Sequence, residues 1–205
     1  MLGFSGFMRK QSRFNLNNFS TKHFLNSQTI FNTRMEICTI GGYEEVGKNM
    51  TAVKVNDDVF IFDIGLHIPG IVELQEDHLL DYTERLKQGK KIKHRGHPQP
   101  TENELREYGA IPDDRVLDKL GWRSKVRAIF MSHAHLDHIG GLSYLINRYP
   151  KVPVYATDFT NKVLEIIFRD DRMKMSNPLK IVKPNTTHMI SGKNKQYKVE
   201  FVHTT

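Results

Sequence analysis

Ser132-His133-Ala134-His135-Leu136-Asp137-His138-Ile139-Gly140-Gly141 follows the apolar run Val126–Met131 and precedes a segment of helical spacing. Four side chains able to bind metal, His133, His135, Asp137 and His138, fall within six positions. Imidazole and carboxylate suit zinc, and also manganese or iron, while the absence of thiolate disfavours a purely structural zinc. In a turn leaving a strand, residues two apart can point the same way, so His133 and His135 form one pair. Asp137 and His138 fall where the chain bends and face a second position. One loop thus offers two half-sites, as two adjacent metals sharing a hydroxide require. The bland alternative is two hydrogen-bonded surface histidines with Asp137 capping the next helix. Four ligands in this register weigh against it.

The flanks give this loop a layered setting. Upstream, Glu36–Ile40 reads as a short strand ended by Gly41-Gly42, and Thr51–Val55 alternates. Asn56-Asp57-Asp58 reads as a turn into the apolar run Val59–Ile64, which Gly65 stops, so the pair predicts a hairpin with a buried second strand. Residues 66–122 are polar and punctuated by Pro and Gly, and read as an insertion with little core-forming pattern. Within it Thr101 and Glu104 predict a capping box on a short helix to Tyr108. Downstream, Leu142, Leu145, Ile146 and Tyr149 predict a helix stopped by Pro150, and Val152–Ala156 a strand. Asp158 is the expected cap of a helix presenting Phe159, Val163, Ile166 and Ile167 on one face. Leu179–Val182 and Tyr197–Val202 close the chain as strands. The order predicts an α/β architecture in layers.

Composition narrows the function classes. The chain has 205 residues and 23.8 kDa, the size of one domain with or without a tail, and 39% apolar with 26% charged residues can build a core. No apolar run approaches the ~20 residues that span a bilayer, so no membrane partner is expected. Cys38 is the single cysteine. It excludes a disulfide scaffold or Cys-rich zinc module and suits a reducing, cytoplasmic compartment. The net charge of +7 favours anionic partners. Residues 1–34 hold Arg9, Lys10, Arg13, Lys22 and Arg34 and no acid, so this leader carries +5 of the total. It reads as a disordered basic arm or as sequence upstream of a true start at Met35. A transit peptide would need an amphipathic pattern that is poor here.

On these residues the chain resembles a known family. His133–Gly141 is similar to the HxHxDH motif of the metallo-β-lactamase superfamily, and Asp63 before Gly65 resembles its first motif. The segment Gly41-Gly42-Tyr43-Glu44-Glu45-Val46-Gly47-Lys48-Asn49 is similar to the opening of β-CASP nucleases of the ribonuclease J type. That wording, with Gly109–Asp114, looks most like the archaeal branch. The resemblance implies a four-layer αββα sandwich, incomplete in this chain, over residues 35–205. It implies hydrolysis of RNA phosphodiesters, from the 5′ end or internally, by water activated between two divalent ions, zinc first and manganese second. His133 and His135 would hold one ion, and Asp137 and His138 the other, with Asp137 also orienting the water. Asp63 would orient the loop by hydrogen bonds, and Gly41, Gly42 and Asn49 would line the substrate side.

The match also implies something incomplete. Ribonuclease J-like proteins place a further ligand in a T-T-H-S-I-P-D-like segment, whereas this chain reads Phe201-Val202-His203-Thr204-Thr205, and His203 stands three positions early. The expectation is an amino-terminal part that binds metal weakly and turns over little. RNA is the expected partner, with a homodimer of the full-length form or a second polypeptide completing the site. Rival expectations are a thioester or lactam hydrolase on the same fold, or a non-catalytic subunit. Lys87, Lys90, Lys91, Lys93 and Arg95 read as a solvated basic run that could touch phosphates. His67, His78, His94, His97 and His188 lack ligand spacing, Trp122 reads as packing, and Asp170 and Asp171 as surface charges.

Overall fold

The computed structural model describes residues 33–88 and 100–203. Nearly all of the basic leader, His94, His97 and the basic run beyond Lys87 lie outside them. A six-stranded sheet runs in the order β1 (Met35–Gly41), β2 (Met50–Val55), β3 (Asp58–Phe62), β4 (Val126–Phe130), β5 (Val154–Ala156) and β6 (Leu179–Ile181). The first three strands are antiparallel, with β2 and β3 joined by the expected tight turn at Asn56. From β3 onward the pairing is parallel. A parallel run that advances one strand at a time with right-handed crossovers places every connecting helix on one face. That is where the helices sit.

Alternation along the strands feeds two cores. Val59, Ile61, Ile129, Met131, Val154 and Ala156 face the helices, while Phe60, Ala128, Phe130 and Tyr155 face a second sheet. A register shift between β3 and β4 leaves Arg127 opposite no residue of β3, which lets Val126 and Ala128 point to opposite faces. The second sheet is the hairpin β7 (Thr186–Ser191) and β8 (Gln196–Phe201), packed through Ile190, Tyr197, Val199 and Phe201. Asp58 pins it. Its buried carboxylate accepts from Arg127 Nε at 2.6 Å, Lys193 N at 2.8 Å and Tyr197 Oη at 2.9 Å. The described residues therefore form helix, sheet and sheet layers, the α/β arrangement expected for the sandwich.

The segment 66–122 departs from the expectation of a polar insertion. It contains α1 (Ile68–Lys87), α2 (Glu102–Glu107) and α3 (Arg115–Lys119). Leu74, Leu105, Ala110, Ile111, Leu117 and Trp122 are buried in the main core. These residues are isolated among charges, so no single period announced them. An ion network holds the segment down. Fully buried Asp114 accepts from Arg106 Nη2 and Arg148 Nε, each at 2.7 Å, and from Tyr149 Oη at 2.6 Å. The capping box at Thr101 and Glu104 is present as read.

Further readings change. In α6 (Asp158–Asp170) the cap is Thr157, whose side chain accepts from Thr160 N at 3.2 Å, and Asp158 is the first helical residue. The buried face is Thr160, Asn161, Leu164 and Phe168, with Val163 and Ile167 of the expected stripe packed against the core, while Phe159 is 72% exposed and Ile166 is exposed too. Asp171 is also more than a surface charge, since it accepts from Ser143 Oγ and Tyr144 Oη and ties α6 to α5 (Leu142–Leu145), the helix after the one-turn α4 (Leu136–Ile139) of the histidine loop. Strand β7 was not expected at all. Its polar stretch Thr186-Thr187-His188 carries little apolar signal.

Candidate metal centre

The metal-capable loop leaves the carboxyl end of β4, beside the carboxyl end of β3, where open parallel sheets place their ligand sites. Asp63 follows β3 directly with φ +61° and is 8% exposed. Its Oδ1 accepts from Ser132 N at 2.7 Å, and its Oδ2 from Ser132 Oγ at 2.8 Å. The same Oδ2 lies 2.8 Å from His138 Nδ1. A carboxylate so placed makes Nδ1 the protonated nitrogen, leaving the lone pair on Nε2. Asn49 agrees with this tautomer, because its amide Nδ2 donates toward His138 Nε2 at 3.3 Å.

Asn49 is a member of this site whose contacts the sequence did not foretell. Its Nδ2 also donates to the Asp137 carbonyl at 2.9 Å and to Asp137 Oδ2 at 3.2 Å, and its backbone N bonds the same carbonyl. Three strands of backbone are knitted here, with Gly65 N on Asn49 O, Ile64 N on His138 O and Leu66 N on Leu136 O, each at 2.9 Å. A Cβ at Gly65 would collide with the Asp137 carbonyl oxygen, so only glycine permits this approach. Gly42, at φ +81°, lies against the Asn49 side chain, and Gly41 against the Lys48 carbonyl. The glycines of the opening segment thus seat Asn49 against the loop.

The four candidate ligands fall into two pairs of donor atoms. His133 Nε2 and His135 Nδ1 are 3.0 Å apart, and His138 Nε2 and Asp137 Oδ2 are 3.4 Å apart. Two donors on one tetrahedral zinc, with bonds near 2.0–2.1 Å, stand about 3.3 Å apart; the Asp137–His138 spacing matches this, and the His133–His135 spacing is that of a hydrogen bond between the two rings. The rings of His133 and His138 lie 4.0 Å apart, which sets the two pairs side by side. Burial, with His138 and His135 beside it, holds His133 below the ordinary histidine pKa and favours the neutral, ligating form. Among the described residues no group of three or more His, Cys, Asp or Glu side chains is arranged to hold a metal ion. Each pair offers two of the four donors zinc takes.

The remaining histidines stand elsewhere. His67 precedes α1 beside Gly47, His78 pairs with Glu104 at 3.4 Å, and His188 packs on Phe201. His203 is exposed, its backbone N donating to Asn185. Trp122 is buried in the core with Lys54 Nζ 5.3 Å from its ring centre.

With a buried aspartate after β3, a histidine-rich turn after β4 and helices on one face of a mixed sheet, fold and site define one class. The chain belongs to the metallo-beta-lactamase superfamily, whose sequence pattern matches residues 43–196. Within that family it is similar to proteins named ribonuclease J. That of Pyrococcus abyssi is 39% identical over 146 residues, 71% of this chain and 28% of the relative. That of Methanocaldococcus jannaschii is 35% identical over 147 residues, again 71% and 28%. Ribonuclease J2 of Bacillus subtilis is 30% identical over 131 residues, 63% of this chain and 17% of the relative. The chain spans less than a third of the length of these relatives. No described helix is long and apolar enough to cross a membrane.

Proposed function

We propose that this chain contributes the metal-binding loop of a ribonuclease that hydrolyses RNA phosphodiesters, from the 5′ end or internally, with two divalent ions. The observation that carries the proposal is the pairing of donors on one loop, His133 with His135 and Asp137 with His138, in a chain whose relatives are named ribonuclease J. We assign the first pair to one ion and the second to the other, zinc first and manganese as the alternative. Bound there, two such ions supply a hydroxide nucleophile and neutralise charge developing on phosphate oxygens.

The chain's own residues prepare that site. Asp63 holds His138 with its Nε2 lone pair outward, the arrangement in which a carboxylate orients a ligating imidazole. Ser132 links Asp63 to both His133 and His138 through its hydroxyl, at 2.9 and 3.2 Å from their Nδ1 atoms. Asn49 fixes Asp137 Oδ2, and the other carboxylate oxygen of Asp137 is assigned to orienting the attacking water. Gly41 and Gly42 form the wall that faces substrate. Among the described residues each ion has two donors, short of a full set, so these residues alone hold metal weakly.

The test is a chimera in which the matched segment of the Pyrococcus abyssi relative is replaced by that of this chain. Hydrolysis of RNA, falling steeply with salt and abolished by Asp137→Asn, is expected. A folded chimera that cleaves a thioester or lactam and leaves RNA intact would overturn the proposal.

A further inference from the structure

Charge is divided sharply along the folded part of the chain. Residues 172–203 hold seven Lys and Arg and a single acid, Glu200, so they carry +6, while residues 35–171 carry −4. All seven cations are exposed. Most described basic side chains ahead of Asp171 are paired with a carboxylate, whereas among the described residues none of these seven is. The residues outside the described ranges contain no Asp or Glu that could pair with them. A cation without a partner, on a surface of one sign, leaves its field to a ligand.

Four of the seven stand in file along one edge of the fold. Strand β6 is the outer strand of the six-stranded sheet, two strands and so about 10 Å from β4, which leads into the histidine loop. Lys183 lies just past the carboxyl end of β6, at the edge of the sheet that carries the loop. Lys180 stands three residues back, about 10 Å down the strand. Lys174 and Arg172 follow on the connection from α6 to β6. Backbone contacts fix the file at both ends. The Lys183 carbonyl accepts from Thr186 Oγ1 at 2.6 Å, and Asn177 Nδ2 donates to the Tyr149 and Val152 carbonyls at 2.6 and 2.9 Å. Lys193, Lys195 and Lys198 on the β7–β8 hairpin add to the same field.

We propose that this file is a track for the backbone of single-stranded RNA, which reaches the histidine loop across the corner at Lys183. The proposal deepens the ribonuclease reading and rests on it for the choice of polyanion. Unpaired cations take the place of the counterions that a nucleic acid strand releases on binding, and a positive surface that follows the backbone holds a single strand without reading its sequence. The remainder of the fold, at −4, repels the same strand and leaves it one side to approach. Lysine on an edge strand also blocks sheet extension. That role needs one charge of either sign on β6 itself, and it leaves Arg172, Lys174 and Lys183, which lie off the strand, unexplained.

Fluorescence anisotropy of a labelled oligouridylate with the 205-residue chain, in chelator and across about 50–200 mM salt, tests this. Lys180→Glu combined with Lys183→Glu is expected to weaken binding at least tenfold at the lower salt, with unchanged far-UV circular dichroism. Each phosphate contact contributes about 0.7 to the slope of log affinity against log salt, so the slope should fall by at least about 1.4. Arg172→Glu with Lys174→Glu should weaken binding severalfold. Lys119→Glu, at an exposed lysine of α3, should change it less than twofold. Edge protection alone predicts that Glu serves as well as Lys, so unchanged affinity overturns the proposal. So does a Lys119→Glu loss equal to that of the double variant, or a loss with the slope unchanged. Tighter binding to phosphatidylserine vesicles than to RNA would overturn it as well and make the surface a membrane contact. Binding is read without turnover, so its failure is distinct from that of the ribonuclease reading, which the chimera tests by cleavage.

Discussion

Replacing Asp63 by Asn removes a charge and almost no volume, and Asn tolerates the left-handed backbone at φ +61° as well as Asp does. The hydrogen bonds change sharply. Oδ1 can still accept from Ser132 N, but the new amide presents hydrogens to Ser132 Oγ and His138 Nδ1, at positions now 2.8 Å from an acceptor. His138 must then protonate Nε2, which points at the Asn49 amide 3.3 Å away, so two donors face each other. A bond to a charged group contributes about 1.5–3 kcal/mol, and losing the charge from two of them in a buried setting costs about 2–3 kcal/mol. For a chain of this size each kcal/mol lowers the melting temperature by about 2–4 °C, so a fall of about 4–12 °C is expected. Asp63→Ala should fall further, because alanine adds about 1 kcal/mol of backbone strain. Thermal unfolding followed by circular dichroism gives the first readout, and nitrogen chemical shifts of the His138 ring the second. A variant as stable as wild type, with Nδ1 still protonated, would refute the role given to Asp63.

Other perturbations test other joints. Gly65→Ala drives a Cβ into the Asp137 carbonyl, and a displaced loop should cost about 1–3 kcal/mol and weaken divalent-metal binding, read by urea denaturation and metal titration. Leu105→Ala should cost about 2–5 kcal/mol in the same denaturation, because 66–122 is part of the core, and a cost below about 1 would return it to a surface insertion. The Asp58 cluster predicts two pH limbs. Burial raises the Asp58 pKa, but bonds from Arg127, Lys193 and Tyr197 outweigh this and hold it below its usual 3.8. Its stabilisation is therefore present above that value and lost as pH falls below it. Burial and Asp58 push Tyr197 up to about 12 from 10, so its contribution is complete below pH 10 and lost as pH rises through 12. Asp58→Asn should flatten the acid limb in a stability-against-pH series, and Tyr197→Phe the alkaline one.

The sequence was most legible where chemistry and local geometry coincide. The strand Val126–Phe130 runs straight into the histidine loop, and Val59–Phe62 into Asp63, so a periodicity reading finds both the sheet and the residues at its carboxyl edge. The capping box at Thr101 was legible because both partners lie within one helical turn. Long-range pairings were not. Asn49 touches Asp137 and His138 across 88 and 89 positions, and nothing local marks that contact. In α6 the polar Thr160 and Asn161 are buried while Phe159 and Ile166 are exposed, so tertiary packing overrode half of the apolar pattern, and Val163 and Ile167 kept the other half. In α1 the aliphatic residues divide between a buried face and an exposed one, and the two patterns together hid the helix.

The central claim is that one loop supplies two distinct half-sites, and a metal count in the chimera with the Pyrococcus abyssi relative tests it most directly. The account predicts two divalent ions per chain, with His133→Ala releasing one and His138→Ala releasing the other, while the fold is retained. A single ion, or two variants that each keep both, would contradict it.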